Sequence, residues 1–187
     1  MFSKTWKLRK KNKFLLYSLA PIAFMPLVAA SCNSQKENKT YEFKDLGKTD
    51  VDLSQSQYTL SDDLTFNVKT AKVNILEKDW FNKLDKKDGK EFIWYSYSND
   101  AFIGEHEEGK KWYDGVQLFK IDGIAGKEAQ AVAESAIFNE KNKWKTTSKM
   151  EVAKDSTNKT IEFKFRIFNF TEKKISSHVY SLKLKAE

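Results

Sequence analysis

The reactive side chains of this chain are few. Its 187 residues include one cysteine, Cys32, and two histidines, His106 and His178. A lone thiol provides neither a disulfide framework nor a cysteine-based metal cluster. A histidine-based triad would have to use His106 or His178, and neither lies in a recognisable nucleophile motif. The thiol of Cys32 is therefore the most informative reactive group, and its meaning depends on the residues before it.

Cys32 ends an uncharged segment that follows a basic one. Residues 1–13 carry six basic side chains and no acidic one, and residues 14–30 carry no charge. Pro21 and Pro26 interrupt the uncharged segment, and a membrane-spanning helix needs about 20 apolar residues. A basic region followed by a short apolar region is typical of an export signal.

Ala29, Ala30, Ser31 and Cys32 resemble the lipobox of bacterial prolipoproteins. In that family the cysteine thiol receives a diacylglyceryl group, and signal peptidase II then cleaves immediately before the cysteine. Family lipoboxes usually have Leu three residues before the cysteine and Gly or Ala just before it, whereas this chain has Ala29 and Ser31. The resemblance implies lipid attachment at Cys32, cleavage between Ser31 and Cys32, and a lipid-anchored protein on the extracellular face of the cell membrane. Two acyl chains, palmitate for example, would make that attachment stable.

Composition limits the source and the ligand. Only Arg9 and Arg166 are arginines, and this Lys-rich, Arg-poor usage is similar to that of surface lipoproteins of mycoplasmas and their relatives. The formal charge is +7, but six of the 33 basic residues lie in residues 1–13, which leaves 27 basic residues against 26 acidic ones. A nearly neutral domain has no net field to attract polyanions, so we expect no nucleic-acid partner.

The chain divides into three predicted segments. Residues 1–31 form the lipoprotein signal peptide, and residues 32–56 form the lipidated cysteine with a polar tether. Residues 57–187 form a single β-rich extracellular domain, which is long enough to bury a core without disulfides.

The first half of this domain combines strand patterns with one helical pattern. Residues 64–68 alternate apolar and polar side chains, which predicts a half-buried strand. Residues 78–87 place apolar residues at helical spacing, which predicts a short helix that ends at Asp88-Gly89. Residues 91–97 are aromatic and β-branched, and they predict a central strand.

The second half contains another helical pattern and the clearest strand signal. Residues 128–138 combine good helix formers with an apolar face, which predicts a helix. Residues 161–167 and 178–184 alternate on either side of a polar turn at 171–174, which predicts a hairpin. The alternation shifts phase after Ile167, where we expect a bulge or a twist.

These patterns predict a mainly β (α+β) fold. Alternation with one polar face favours an antiparallel sheet or a β-sandwich, with one or two short helices, after an N-terminal signal helix. Parallel βαβ winding would need regular helices between the strands, and only two helical patterns occur.

The candidate polar sites are weak. His106 lies between glutamates at 105, 107 and 108, but neighbouring residues on a strand point to opposite faces and do not converge on a metal. His178 lies on an alternating strand, as expected of a residue at a sheet margin. Arg166, the single arginine of the domain, lies on the polar face of a predicted strand, so a cationic clamp for phosphodiester chemistry is lacking. We predict no metal and no cofactor.

Aromatic residues are the one enrichment that suggests binding. On a strand, Trp94 and Tyr95 must point to opposite faces, so one ring faces solvent unless both faces are covered. Trp112 and Tyr113 lie in a short segment between glycines, where a large ring is hard to bury. Exposed Trp and Tyr often anchor protein partners or sugars, so we predict that Trp112 and Tyr113 belong to a binding surface. The alternative is that both rings cap the core.

The sequence therefore predicts a monomeric surface lipoprotein that acts by binding or adhesion, or as an exposed antigen, without catalysis. Its partners would be the membrane, through the lipid anchor, and an extracellular protein or glycan. Two alternatives are a secreted-side hydrolase and a small accessory or solute-binding lipoprotein of a transporter. A hydrolase would gather Asp or Glu around a histidine in a cleft, whereas a binder would present an aromatic patch on a sheet.

Overall fold

The computed structural model describes residues 40–53, 56–136 and 148–187. The predicted signal peptide, Ser31, Cys32 and residues 33–39 lie outside the described residues. The strands are β1 (Tyr41–Lys48), β2 (Thr59–Ser61), β3 (Val73–Ile75), β4 (Asp85–Lys87), β5 (Lys90–Ser96), β6 (Ala101–Ile103), β7 (Gln117–Ile121), β8 (Gln130–Ala133), β9 (Lys149–Asp155), β10 (Thr160–Asn169), β11 (Lys174–Ser176) and β12 (His178–Lys185). A 3₁₀ helix, Trp112–Asp114, lies between β6 and β7.

The strands form one curled sheet in the order β1-β12-β10-β9-β5-β6-β7-β3. Every neighbouring pair along this path is antiparallel. Outside the path, β4 pairs antiparallel with β5, and β8 pairs antiparallel with β10. Strand β11 pairs antiparallel with β10 and parallel with β2. The predicted mainly β, antiparallel fold is confirmed. Its apolar side chains converge on the inner face of the curl.

The core is rich in aromatic rings that meet edge to face. Phe66 contacts Phe43, Phe165 and Tyr180, with ring centroids 5.3, 5.6 and 5.4 Å apart. The backbone N–H of Phe66 also donates to the Tyr180 hydroxyl at 3.0 Å, so this buried phenol has a partner. Edge-to-face pairs add to the stabilisation from burial, which is about 1.5–3 kcal/mol for each apolar side chain.

The predicted C-terminal hairpin is confirmed, because β10 pairs antiparallel with β12. Its register changes where the phase shift was expected. Phe165 pairs with Tyr180, and Phe168 pairs with Ile175. Between these two pairs, residues 166–167 of β10 lie opposite the four residues 176–179 of the returning chain. The extra residues therefore form a bulge on the returning chain.

The prediction that the polar tether extends to residue 56 is wrong. Residues 41–48 form β1, which pairs with β12 along its length. Tyr41 and Phe43 pack against the core while Glu42 and Lys44 are exposed, which is the alternation of a half-buried strand. Because the outer face of this strand carries charged residues, the segment is polar on average and was assigned to the tether.

Neither predicted helix forms in the described residues. Residues 78–82 make turns, in which Trp80 N–H donates to the Glu77 carbonyl, and β4 starts at Asp85. Asp88 and Gly89 both have positive φ, so they form the two-residue turn of the β4–β5 hairpin rather than a helix end.

The predicted helix at 128–138 is replaced by β8 as far as the structure describes it. All four residues of β8 are buried, and β8 pairs with β10. Tertiary pairing therefore outweighs local helix propensity here. Residues 137 and 138 lie outside the described residues.

Residues 64–68 also do not form the predicted strand. Phe66 is buried and Leu64 and Val68 pack against the core, so the alternation of burial was correct. The segment joins no strand ladder; Phe66 N–H donates to the Tyr180 hydroxyl, and Val68 N–H donates to the Phe66 carbonyl within a local turn.

Candidate binding surface

The outer face of β5 carries half-buried aromatic side chains. Trp94 and Tyr95 point to opposite faces as predicted: Tyr95 is buried in the core, and Trp94 is half-buried on the outer face. Phe92 lies on the same outer face, two residues before Trp94, and is also half-buried. The sheet therefore presents two neighbouring rings on this face.

Charged groups from the flanking strands surround these rings. Lys149 of β9 is the cross-strand partner of Trp94, and its Nζ lies 3.7 Å from the centroid of Phe92 and 5.1 Å from that of Trp94. Burial lowers the pKa of Lys149 below its ordinary value. Trp94 Nε1 donates to an Asp85 carboxylate oxygen of β4 at 2.8 Å, which fixes the indole ring. We call Asp85, Phe92, Trp94 and Lys149 the aromatic face.

The connection between β6 and β7 reaches the edge of the aromatic face. Its His106 lies half-buried with Nδ1 3.9 Å from Asp85, which is too far for a hydrogen bond. Tyr113 of the 3₁₀ helix is half-buried, with Lys111 Nζ 5.4 Å from its ring centroid. The backbone of Trp112 begins this helix, and its side chain lies outside the described part.

A second polar cluster joins β1 to β12. His178 Nδ1 lies 2.9 Å from an Asp45 carboxylate oxygen, and its ring stacks on Tyr180. Burial raises the pKa of Asp45, but hydrogen bonds from Gly47 N–H and His178 outweigh it, so the net pKa is lowered. Sequence reasoning missed Asp45 because that residue lay in the presumed tether; the alternation around Phe43 was the signal that could have found it.

A serine and an aspartate extend this cluster. The Ser177 hydroxyl donates to one Asp62 oxygen at 2.6 Å, and Lys48 Nζ contacts the other oxygen at 2.6 Å. The lysine contact, followed by the Ser177 hydrogen bond, lowers the pKa of Asp62. Because the Ser177 proton goes to Asp62, this serine is not aligned with His178 as the nucleophile of a triad.

Arg166 does not lie on an exposed polar face, so that prediction is wrong. Its side chain is buried, with 1% of the residue exposed. Nη1 donates to the carbonyls of Ser176 and Ser177 at 3.0 and 2.9 Å, and Nη2 donates to the Thr49 hydroxyl. Burial lowers the pKa of Arg166. The guanidinium satisfies the carbonyls of the bulge, a structural role that strand alternation does not reveal.

A shallow polar groove lies where β5 begins and β9 ends. Its volume is about 330 Å³, and it is lined by Gly89, Lys90, Glu91, Glu151, Val152, Lys154 and Ser156. Lys154 Nζ donates to Glu91 at 3.1 Å, and Lys90 Nζ donates to Glu151 at 2.8 Å. Neither histidine lines this groove.

Comparison with protein-family models, with curated proteins and with solved structures found no match to this chain. Within residues 40–53, 56–136 and 148–187, no helix has the length and apolar character needed to cross a bilayer. The same residues contain no group of three or more His, Cys, Asp or Glu side chains arranged for a metal ion.

Proposed function

We propose that this chain is a lipid-anchored surface protein that acts by binding an extracellular protein or glycan, without catalysis. The carrying observation is the position of Cys32 at the end of the uncharged segment and close to the first strand. Only residues 33–40 separate Cys32 from Tyr41.

The aromatic face supports the binding part of this proposal. Phe92 and Trp94 supply apolar contact area on a rigid strand, and Lys149 and Asp85 supply charge beside them. Half-buried Trp beside charged groups is common at recognition sites for proteins and sugars. Tyr113, one of the two predicted contact residues, would extend this face.

Lipid attachment is tested with Cys32→Ala. We expect fatty-acid label in the wild type and none in the variant, because the thiol is the acylated atom. Equal label in both proteins would refute the anchor.

Binding is tested with Trp94→Ala and Tyr113→Ala, assayed on cultured animal cells and on a glycan array. The exposed Tyr97, at 47% exposure, supplies the matched control Tyr97→Ala. We expect lost attachment in the first two variants and unchanged attachment in the control. If the first two variants melt at lower temperature but the folded protein attaches as before, these rings are structural.

The hydrolase alternative has one contact in its favour, the Asp45–His178 pair. An aspartate on Nδ1 would orient the imidazole for general-base work. His178→Ala tests it: loss of hydrolysis of ester or glycoside test substrates, with the fold intact, would favour the alternative.

A further inference from the structure

The aromatic face continues into the polar groove along the ladder between β5 and β9. Lys149 pairs with Trp94, and the next pair on the same outer face is Phe92 with Glu151. Glu151 also lines the groove, as does Lys90 at the start of β5. From Trp94 back to Lys90 the strand rises by about 13 Å, at about 3.3 Å per residue. The face and the groove therefore form one elongated surface.

Charges on this elongated surface cancel. It carries three lysines and three carboxylates (Lys90, Lys149, Lys154; Asp85, Glu91, Glu151). Two of the lysines contact two of the carboxylates, Lys90 with Glu151 at 2.8 Å and Lys154 with Glu91 at 3.1 Å.

The connections around this surface are also close to neutral. In the described residues, the β4–β5 and β9–β10 turns and the β6–β7 connection add five exposed lysines and six exposed acids (Lys86, Lys87, Lys110, Lys111, Lys159; Asp88, Glu105, Glu107, Glu108, Asp114, Asp155). A region with this balance has no strong field of either sign. Long-range attraction therefore selects neither a polyanion nor a polycation.

Two polar groups of the surface have hydrogen-bonding capacity that the described residues do not use. Glu91 Oε2 is buried and accepts no hydrogen bond there, although Oε1 accepts from Lys154. An acceptor without a donor is costly, and the last torsion of a glutamate is soft enough to turn toward a donor that enters the groove. Lys149 Nζ lies over the rings of Phe92 and Trp94 and forms no ion pair within the same residues, so it can donate to a ligand.

We propose that the aromatic face and the groove together bind a neutral oligosaccharide. The inference rests on the proposed binding function and narrows its ligand to one class. A sugar ring has apolar C–H faces, which suit Phe92 and Trp94, and it has hydroxyl groups at its edges. Each hydroxyl both accepts and donates, so it suits a lysine beside a carboxylate. A charged ligand would be attracted by one member of each Lys–Glu pair and repelled by the other.

Blocking the groove tests this proposal. Ser156 is exposed and lines the groove, whereas its exposed neighbour Thr157 does not line it. The full chain is held in detergent and applied to an array of maltotriose, chitotriose, globotriose, their monosaccharides and sialyllactose. We expect a neutral trisaccharide to bind several-fold more tightly than its monosaccharide. Ser156→Trp should remove this advantage, and Thr157→Trp, the matched control, should preserve it.

A second substitution removes a hydrogen-bond acceptor and leaves the groove open. Glu151→Ala should weaken trisaccharide binding several-fold, because the ligand hydroxyl loses its acceptor. Glu162→Ala, at an exposed position of the neighbouring strand β10, is the matched control and should bind as the wild type does. Melting curves establish that each variant is folded at the assay temperature.

The possible failures are distinguishable. Trisaccharide binding that neither Ser156→Trp nor Glu151→Ala weakens would refute the role of the groove. Preference for sialyllactose, or attachment to cells that survives enzymatic removal of their glycans, would refute the neutral-saccharide class and leave the proposed binding function standing. If the folded wild type attaches neither to cells nor to any sugar on the array, the proposed function itself is wrong, and this inference fails with it.

Discussion

At the scale of single residues, Arg166 stabilises the bulge at residues 176–179, where the pairing of the C-terminal hairpin is interrupted. The bulge at residues 176–179 turns carbonyls away from the regular ladder, and the guanidinium meets two of them. Nη2 of Arg166 also donates to the hydroxyl of Thr49, the residue after β1, and so connects the end of β1 to the bulge. Buried carbonyls without donors are costly, which explains an arginine in an otherwise Lys-rich chain.

We expect Arg166→Ala to lower the free energy of unfolding by about 3 kcal/mol or more. The variant leaves several carbonyls without a donor, each costing about 1–3 kcal/mol, and it also creates a cavity. Urea titration followed by circular dichroism measures the loss. Lys164→Ala, two residues earlier on the exposed face of β10, is the matched control, and its effect should stay below about 1 kcal/mol. A similar small loss for Arg166→Ala would contradict the structural role.

At the scale of elements, Asp62 connects β1 to the start of β12. Lys48 of β1 and Ser177 beside β12 both contact its carboxylate, while Ser177 N–H donates to the Ser61 carbonyl. These contacts pin β2 against the end of the sheet. The charged form of Asp62 is the one that accepts them, which is why its pKa is lowered.

This lowered pKa predicts an acid-dependent contribution to stability. A depressed carboxylate pKa stabilises the fold above the unfolded-state pKa, near pH 4, and the contribution is lost as pH falls through the folded-state pKa. We expect the melting temperature of the wild type to fall between pH 5 and about 3. Asp62→Asn should melt lower than the wild type at pH 6 and lose less on acidification. Asp63→Asn, the exposed neighbour, should follow the wild type; identical curves for all three proteins would exclude this contribution.

At the scale of the whole molecule, stability rests on one aromatic core within the curled sheet. The described strands and their core belong to residues 37–187, and Cys32 lies before them. The fold therefore requires no covalent cross-link from the remainder of the chain.

We expect residues 37–187 alone to fold as a β-rich monomer whose melting temperature does not change with reductant or chelator. The physical reason is that this segment contains no cysteine and that its described residues hold no metal-binding group. Far-UV circular dichroism and sedimentation measure secondary structure, melting and mass. A large drop in melting temperature on adding a chelator would reveal a metal site, and a dimer mass would refute the monomer.

Several features of the fold could be predicted from the sequence because they depend on local periodicity. The alternation of 161–167 with 178–184 predicts a β-hairpin, since side chains on a strand must alternate between faces whatever else they contact. The same rule placed Trp94 and Tyr95 on opposite faces, and the structure shows that Tyr95 is the ring in the core. The lipid-anchor prediction at Cys32 is also local, because it depends on a short motif after an apolar segment.

Only the tertiary structure decided which local preferences prevailed. Residues 128–136 favour a helix by composition, yet β10 offers β8 a ladder and a buried position, and long-range pairing outweighs a propensity of less than about 1 kcal/mol per residue. Arg166, His178 and Asp62 each acquire their partners from residues at least ten positions away, so no spacing in the sequence could reveal them. Sequence therefore determined the alternation of faces, whereas packing determined the strand register and the identity of the buried polar groups.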